Sequence, residues 1–396
     1  MKLTKYDLLH VCQYFKESKD FITIMMTCKK FREITELYHY NPIQNWKLFP
    51  NIDTQIFYDH LDIYQDAVAY GKIPGMKKYI YKGLVSHQNS LEFKYRKGIE
   101  CTNIEYDKFD FLRYGLNVPQ KVHKMGPACF GFCFPNEITK YKVPKQLWTI
   151  GRKCFNNAFS LTQIIFTNDY FLLQPFTFDC NHHIERVTLS GIECIYQNTF
   201  QYCSNLRRVD IPSTVTKICD FAFDSCSSLT HLVIPENVES LGMQTFHQCI
   251  SLPEIHIPSK VTTIPRLCFA FCKRLTKITY SSEMASFDDG AFTFCLSLKH
   301  IDIPSTLTSI GACCFLGSSK LHSISKRLKE TLIEVGEDAL FYDLKENELK
   351  KDVDKNGKPE YYCDNWKQQG FGSIENEIYR TKKIIQKKEV SLLDSK

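Results

Sequence analysis

A block of about 23 residues recurs through the middle of this chain, and that period limits the fold more than any other feature. LRRVDIPSTVTKICDFAFDSC begins at Leu206 and LTHLVIPENVESLGMQTFHQC at Leu229. Further copies begin at Leu252, Leu275 and Leu298, and the phase reaches Leu321. Earlier copies begin at Ile138, Leu161 and Ile184, with steps of 23, 23 and 22. A more diverged copy holds Val118, Pro119, Val122, Met125, Phe130 and Cys133. A unit this short cannot bury its apolar face alone, so successive units must stack.

Each unit reads L-x-x-I-x-I-P-x-x-V-x-x-I-G-x-x-A/C-F-x-x-C. The L-x-x-I-x-I part predicts a strand with alternate residues, such as Leu232 and Ile234, pointing inward. Proline follows at 144, 212, 235, 258 and 304, where a missing N–H suits a strand end. Val215 and Ile218, three apart, predict a tight turn or a short 3₁₀ segment returning over the core. Phe223, Phe246, Phe269, Phe292 and Phe315 recur at the same step and predict an aromatic column.

Eighteen cysteines raise the question of a disulfide framework. The chain is long, shows no secretion signal and has no N-x-[ST] sequon, so reduced thiols in a cytoplasmic setting are the expectation. The repeat also accounts for the sulfur. Cys180, Cys203, Cys226, Cys249, Cys272 and Cys295 are spaced by 23, and Ser318 continues them. That spacing predicts a buried, unpaired column of small side chains. Cys154, Thr199, Ala222, Thr245, Cys268, Ala291 and Cys314 predict a second such column.

The I-P-x-x-V-x-x-I-G-x-x-A-F-x-x-C units resemble the BspA-like leucine-rich-repeat family over residues 113–325. The resemblance implies an α/β repeat solenoid, a right-handed stack of 23-residue units with one parallel sheet and a helical N-terminal segment. It also implies binding to proteins and cell surfaces. The family's bacterial members carry secretion signals and none is visible here, so surface display stays an open alternative to the cytoplasm.

Residues 1–40 predict two short helices, because Leu8, Leu9, Val11, Cys12 and Phe15, then Phe21, Ile24, Met25, Cys28 and Phe31, recur at helical spacing. The order Tyr6-x-Leu8-Leu9-x-Val11-x-x-Tyr14-Phe15, Asp20-Phe21-x-x-x-Met25 and Cys28-Lys29-x-Phe31-Arg32 resembles an F-box segment. That family's initial Leu-Pro is missing, and Phe31 stands where Trp is common. The resemblance implies contact with a Skp-type adaptor of a ubiquitin ligase through Leu8, Leu9, Phe21 and Met25. Residues 41–112 read as a connecting region that accommodates diverged repeats, 113–345 as the solenoid and 346–396 as a charged, solvated tail.

No P-loop, G-x-G-x-x-G, G-x-S-x-G or H-E-x-x-H occurs, so neither an enzyme nor a cofactor is expected. Cys180-x-His182-His183 is the nearest approach to a metal cluster, but zinc takes about four ligands, and no metal is expected. No run of about 18 apolar residues suggests a membrane span. A net charge of +6 from 50 basic and 44 acidic residues is too mild and too interleaved for a nucleic-acid footprint. The polar positions between strand apolars should line the concave face, where solenoids bind. One column is Lys140, Gln163, Arg186, Arg208, His231, Glu254, Lys277, His300 and Ser323. Its neighbour is Lys142, Ile165, Thr188, Asp210, Val233, His256, Thr279, Asp302 and Ser325. Arg186, Arg208, His231, His256, Lys277 and His300 are the candidate contacts for a protein partner of acidic character.

Overall fold

The computed structural model describes residues 12, 14–27, 35, 38, 40, 42, 43, 47, 49, 51, 54–58, 77–132, 135–321 and 334–336. Leu8, Leu9, Val11, Phe31, Cys133, Ser323, Ser325 and the expected tail lie outside them.

The repeat folds as stacked coils. Strands Lys140–Lys142, Gln163–Ile165, Arg186–Thr188, Arg208–Asp210 and His231–Leu232 form one parallel sheet. Glu254–His256 and Lys277–Thr279 pair in the same way further along. The register places Tyr141, Ile164, Val187, Val209 and Leu232 side by side, all buried. Proline then ends the strand with a turn. The Pro212 carbonyl accepts the Val215 N–H at 3.2 Å, and Pro235 accepts from Val238 at 3.0 Å.

The V-x-x-I segment differs from the expected tight turn. It forms a second parallel ladder, so coils such as 206–228 carry two ladders rather than one sheet. Val85–Ser86, Ile104–Tyr106, Lys124–Met125, Thr149–Ile150 and Leu172–Leu173 make one stretch of it. Cys194–Ile195, Lys217–Ile218 and Ser240–Leu241 make a second, and Thr263–Ile264, Ser286–Phe287, Ser309–Ile310 and Glu334–Val335 a third. The reason is backbone satisfaction. The Cys219 and Gly242 amides donate along the stack to the Ile195 and Ile218 carbonyls at 2.9 and 2.8 Å, whereas a 3₁₀ turn would spend them within the coil. The following glycine marks a close approach. A Cβ on Gly242 would lie 2.2 Å from the Asp220 backbone nitrogen.

The third side of the coil is built from turns. The Phe221, Phe223 and Ser225 amides donate to the Met243, Thr245 and His247 carbonyls of the next coil at 2.9, 2.9 and 2.8 Å. The amides between them close tight turns, Asp224 onto Phe221 and Cys226 onto Phe223, both at 3.2 Å. This alternation needs left-handed backbone at Phe221 (φ 57°) and Ser225 (φ 60°), and the pair recurs at Gln244 and Gln248. Each such residue costs about 1–2 kcal/mol, which the satisfied amides offset.

Behind this wall the expected aromatic column is present. Phe178, Phe200, Phe223, Phe246, Phe269, Phe292 and Phe315 are fully buried. Their rings stack with centroids 5.1 Å apart at Phe178–Phe200 and 5.7 Å at Phe269–Phe292. Beside them stands the cysteine column. The thiols of Cys203, Cys226, Cys249, Cys272 and Cys295 each donate to the carbonyl of the phenylalanine one coil back, at 3.1–3.3 Å. Ser318 Oγ makes the same bond to Phe292 at 2.8 Å. The position therefore selects a small donor, not size alone.

Cys180 is a correction. It is only half-buried, with φ 56°. The buried column position in its coil is Asn181, whose Nδ2 bonds the Phe155 carbonyl at 2.8 Å. The step from Phe178 to Phe200 is 22 residues, and that one missing residue moves Cys180 out of the column.

Parallel pairing reaches back to Thr54–Phe57, Lys78–Tyr81 and Ile99–Cys101, and the second ladder crosses residue 113 without a break. Helices His87–Glu92 and Lys108–Tyr114 lie in this part. The fully buried Asp110 carboxylate accepts the His87 and Gln88 amides at 2.8 Å each and the Asp107 amide at 3.2 Å, so it serves the starts of both helices. The expected N-terminal helix is seen at Ser18–Thr27. Phe21 anchors it, fully buried, with rings of Phe15 and Phe49 set edge-on at 5.1 and 5.2 Å.

The donor role of the cysteine column is testable by urea unfolding. Cys249→Ala leaves the Phe223 carbonyl without its side-chain donor and should cost about 1–3 kcal/mol. Cys249→Ser should cost less, because Ser318 already makes this bond. Equal loss in both variants would assign the position to packing.

Candidate functional site

The first ladder presents one residue per strand outward on each side of the buried one. Arg186, Arg208 and His231 are direct register partners on successive strands, about 4.8 Å apart. Lys277 pairs with Glu254, and His256 with Thr279, on the two strands further along. All of these candidate contacts are exposed. His300 is exposed too, but no ladder strand forms around it. The repeat phase thus brings five of the six residues onto ladder strands and leaves His300 on irregular backbone.

The electrostatics are less open than the sequence implies. Arg186 Nη2 lies 3.0 Å from Asp210 Oδ2, and Arg208 Nε lies 2.6 Å from Asp210 Oδ1. Thr188 Oγ1 donates to the same carboxylate at 3.2 Å. Asp210 occupies the neighbouring column, so one acid gathers both arginines and relieves two like charges stacked at strand spacing. His256 Nε2 lies 3.3 Å from Glu236 Oε1, and its Nδ1 lies 2.9 Å from Thr279 Oγ1. Between Asp210 and His256 in that column sits Val233, 64% exposed. An apolar side chain framed by paired charges suits the centre of a contact patch. Asp210, Glu236 and Val233 border these candidate contacts and are not among the residues singled out from sequence. The signal for Asp210 and Val233 was their place in the second column; Glu236, just past Pro235, had none.

Of the adaptor candidates, Phe21 faces the aromatic core described above, and Met25 is half-buried with Thr35 Oγ1 3.9 Å from its sulfur. Leu8 and Leu9 lie outside the described residues. The apolar side chains that this helix exposes are Ile22 and Met26, one turn apart, the latter 82% exposed, with Tyr14 also in the open.

Two arrangements resemble chemistry. His247 Nδ1 lies 2.8 Å from Asp224 Oδ1, the geometry of an oriented base. Both side chains are buried, Asp224 is also held by Gln201 at 2.8 Å, and the edge of the His247 ring meets Phe271. These bonds tie three coils together. Cys180 Sγ donates to Asp179 Oδ1 at 3.3 Å, and His182 Nδ1 lies 3.2 Å from Ser204 Oγ. Among the described residues no group of three His, Cys, Asp or Glu side chains is placed to hold a metal. No helix among them is long and apolar enough to cross a membrane.

The model of the BspA-type leucine-rich repeat region matches six copies, at residues 102–230, 216–348 and 290–378, together more than half of the chain. No curated protein matches it. Among solved structures, a leucine-rich repeat protein from Bacteroides ovatus is similar at 16% identity and a TM-score of 0.46, over 73% of this chain and 77% of that one. One from Eubacterium ventriosum is similar at 19% identity and a TM-score of 0.42, over 78% and 87%. The T. pallidum leucine-rich repeat protein is similar at 22% identity and a TM-score of 0.38, over 50% and 86%.

Partial burial pushes the Asp210 carboxyl up, but hydrogen bonds from Arg208, Arg186 and Thr188 outweigh it and hold the group below its ordinary value of 3.8. A depressed carboxyl stabilises the fold above its unfolded pKa and loses that contribution as pH falls through the folded one. The melting temperature of Asp210→Asn should therefore lie below wild type near neutral pH, and the gap should close as pH falls below about 4. A gap unchanged from neutral pH to pH 2 would remove the ion cluster as its source.

Proposed function

The chain belongs to the BspA-type leucine-rich repeat family, and from that premise we propose that it is a protein-interaction scaffold that holds an acidic partner on the outward face of its first ladder. The observation that carries this reading is the set of basic side chains in direct register at Arg186, Arg208 and His231, with Lys277 beyond Glu254 in the same column and His256 in the next. The strands fix the backbone spacing, and Asp210 already orders the two arginines, which lowers the side-chain order lost on contact. Val233 supplies apolar area within the set. A carboxylate of the partner would compete with Asp210 for two arginines, which favours a partner with several acids over one with a single acid. The enclosed Asp224–His247 pair supports a binding role over a catalytic one. The absence of disulfides among the described cysteines supports a reducing, cytoplasmic setting.

Affinity isolation with the full chain tests this. Arg208→Glu with Lys277→Glu should weaken partner capture at least tenfold and flatten its loss with salt, with the coil fold retained by circular dichroism. If capture survives that pair but is lost on Lys273→Glu with Arg274→Glu, on the turn side of the coil, the face is wrongly assigned.

A second reading rests on the helix Ser18–Thr27. The exposed Ile22 and Met26 offer an apolar surface that capping the stack does not use. It is the kind of surface through which an F-box-like segment would engage a Skp-type adaptor. Ile22→Asp with Met26→Asp should abolish adaptor binding at an unchanged melting temperature. If the wild-type chain never retains such an adaptor, the ubiquitin-ligase role is discarded.

A further inference from the structure

The described cysteines are not equivalent. Those of the inner column are enclosed and donate to carbonyls, and burial pushes their thiols well above the ordinary range. Cys180 is half-exposed, but burial and the neighbouring Asp179 carboxylate push it up to about 11. Cys194 and Cys219 stand apart. They lie on adjacent coils of the second ladder, are both half-buried, and their sulfurs are 3.5 Å apart in a thiol–thiol hydrogen bond. Lys217, the register partner of Cys194, lies two residues before Cys219 on the outward side. Among the described residues, Tyr196 and Asp220 also face this pair with ionisable groups.

We propose that Cys219 is a redox-addressable thiol, its thiolate held by a hydrogen bond from Cys194 and by the Lys217 charge, which takes up low-molecular-weight disulfides as mixed disulfides. In this step the Cys219 thiolate attacks one sulfur of the small disulfide. One S–S bond forms, the original S–S bond breaks, and the departing thiolate takes a proton from solvent. No further oxidant is needed. Either sulfur could donate in this bond, and Lys217 favours the thiolate of both; with Cys194 as donor, the bond pulls Cys219 down to about 7 and pushes Cys194 up. Cys194 is a positioning residue.

The ladder also decides what the adduct does next. Cys194 is opposite Lys217, so it is a diagonal neighbour of Cys219. One strand spacing and two residues of rise separate such neighbours by roughly 8 Å. A disulfide spans Cα atoms about 4.4–6.8 Å apart. Cys194 therefore supports the thiolate without resolving the adduct, and the mixed disulfide persists.

The test uses the full chain with glutathione disulfide, intact mass and peptide mapping across pH. At pH 7 a thiol titrating near 7 carries about 50-fold more thiolate than one near 9. Its lower basicity returns about 8-fold of that in nucleophilicity, which leaves a net advantage of about 6-fold. Among the described cysteines Cys219 should be the first modified, Cys180 should trail it by more than tenfold, and the buried column should stay unmodified until unfolding. Cys194→Ala should slow Cys219 about 6-fold and move the midpoint of its pH–rate profile from near 7 toward 9. Cys194→Ser, which keeps a donor, should restore most of the rate. Comparable reaction at Cys180, a Cys219 rate and profile indifferent to Cys194→Ala, or an intramolecular Cys194–Cys219 disulfide in place of the adduct would each overturn the proposal.

Discussion

Everything in this fold follows from amides that point along the stack. On both ladders and on the turn side, a coil's N–H groups find carbonyls one coil away, as Cys219 finds Ile195 and Phe223 finds Thr245. Those bonds hold successive coils at a fixed spacing. Any side chain in a column must therefore tolerate its own kind as a neighbour about 4.8 Å away. Phenylalanine satisfies this by stacking nearly parallel, 13° apart at Phe223–Phe246. Cysteine satisfies it by being small and by donating to a carbonyl that already accepts one bond from its own coil.

Charge meets the same constraint on the outside. Two arginines at strand spacing repel, and a column of one sign cannot persist without help from its neighbour. Asp210 provides that help by reaching both Arg186 and Arg208. The surface that looks basic in sequence is in the fold a set of local ion clusters with an exposed valine between them. The charges of both arginines are thus already satisfied within the fold.

The 23-residue phase, the inward strand positions, the phenylalanine column and most of the cysteine column were legible in the sequence, since each repeats a residue type at a fixed offset. The second ladder was not. It contributes one inward residue per coil, such as Ile218, and a single apolar position carries no period of its own. The left-handed positions were hidden because Phe221, Ser225 and Gln244 occupy them, with glycine only at Gly290 and Gly317. Cys180 was misplaced because the 22-residue step falls just beyond it, so spacing alone could not tell it from Asn181. At the candidate face the columns were readable, but the pairing onto Asp210 depends on rotamers, and the burial of Phe21 depends on Phe49, distant in sequence. Asp110 drew no notice, since its partners lie 22 and 23 residues back.

The near-uniform bond length along the chain, one coil at a time, also sets how the protein comes to be. Contacts that span about 23 residues in a chain of 396 give a relative contact order of roughly 0.06, below that of helical bundles. Loop closure for each coil is as inexpensive at the hundredth residue as at the three-hundredth. A ribosome adding about 5–20 residues per second delivers one coil every few seconds. Each new coil can dock on the last without waiting for the C-terminus, so the stack grows in the direction of synthesis and its open edge is always the youngest.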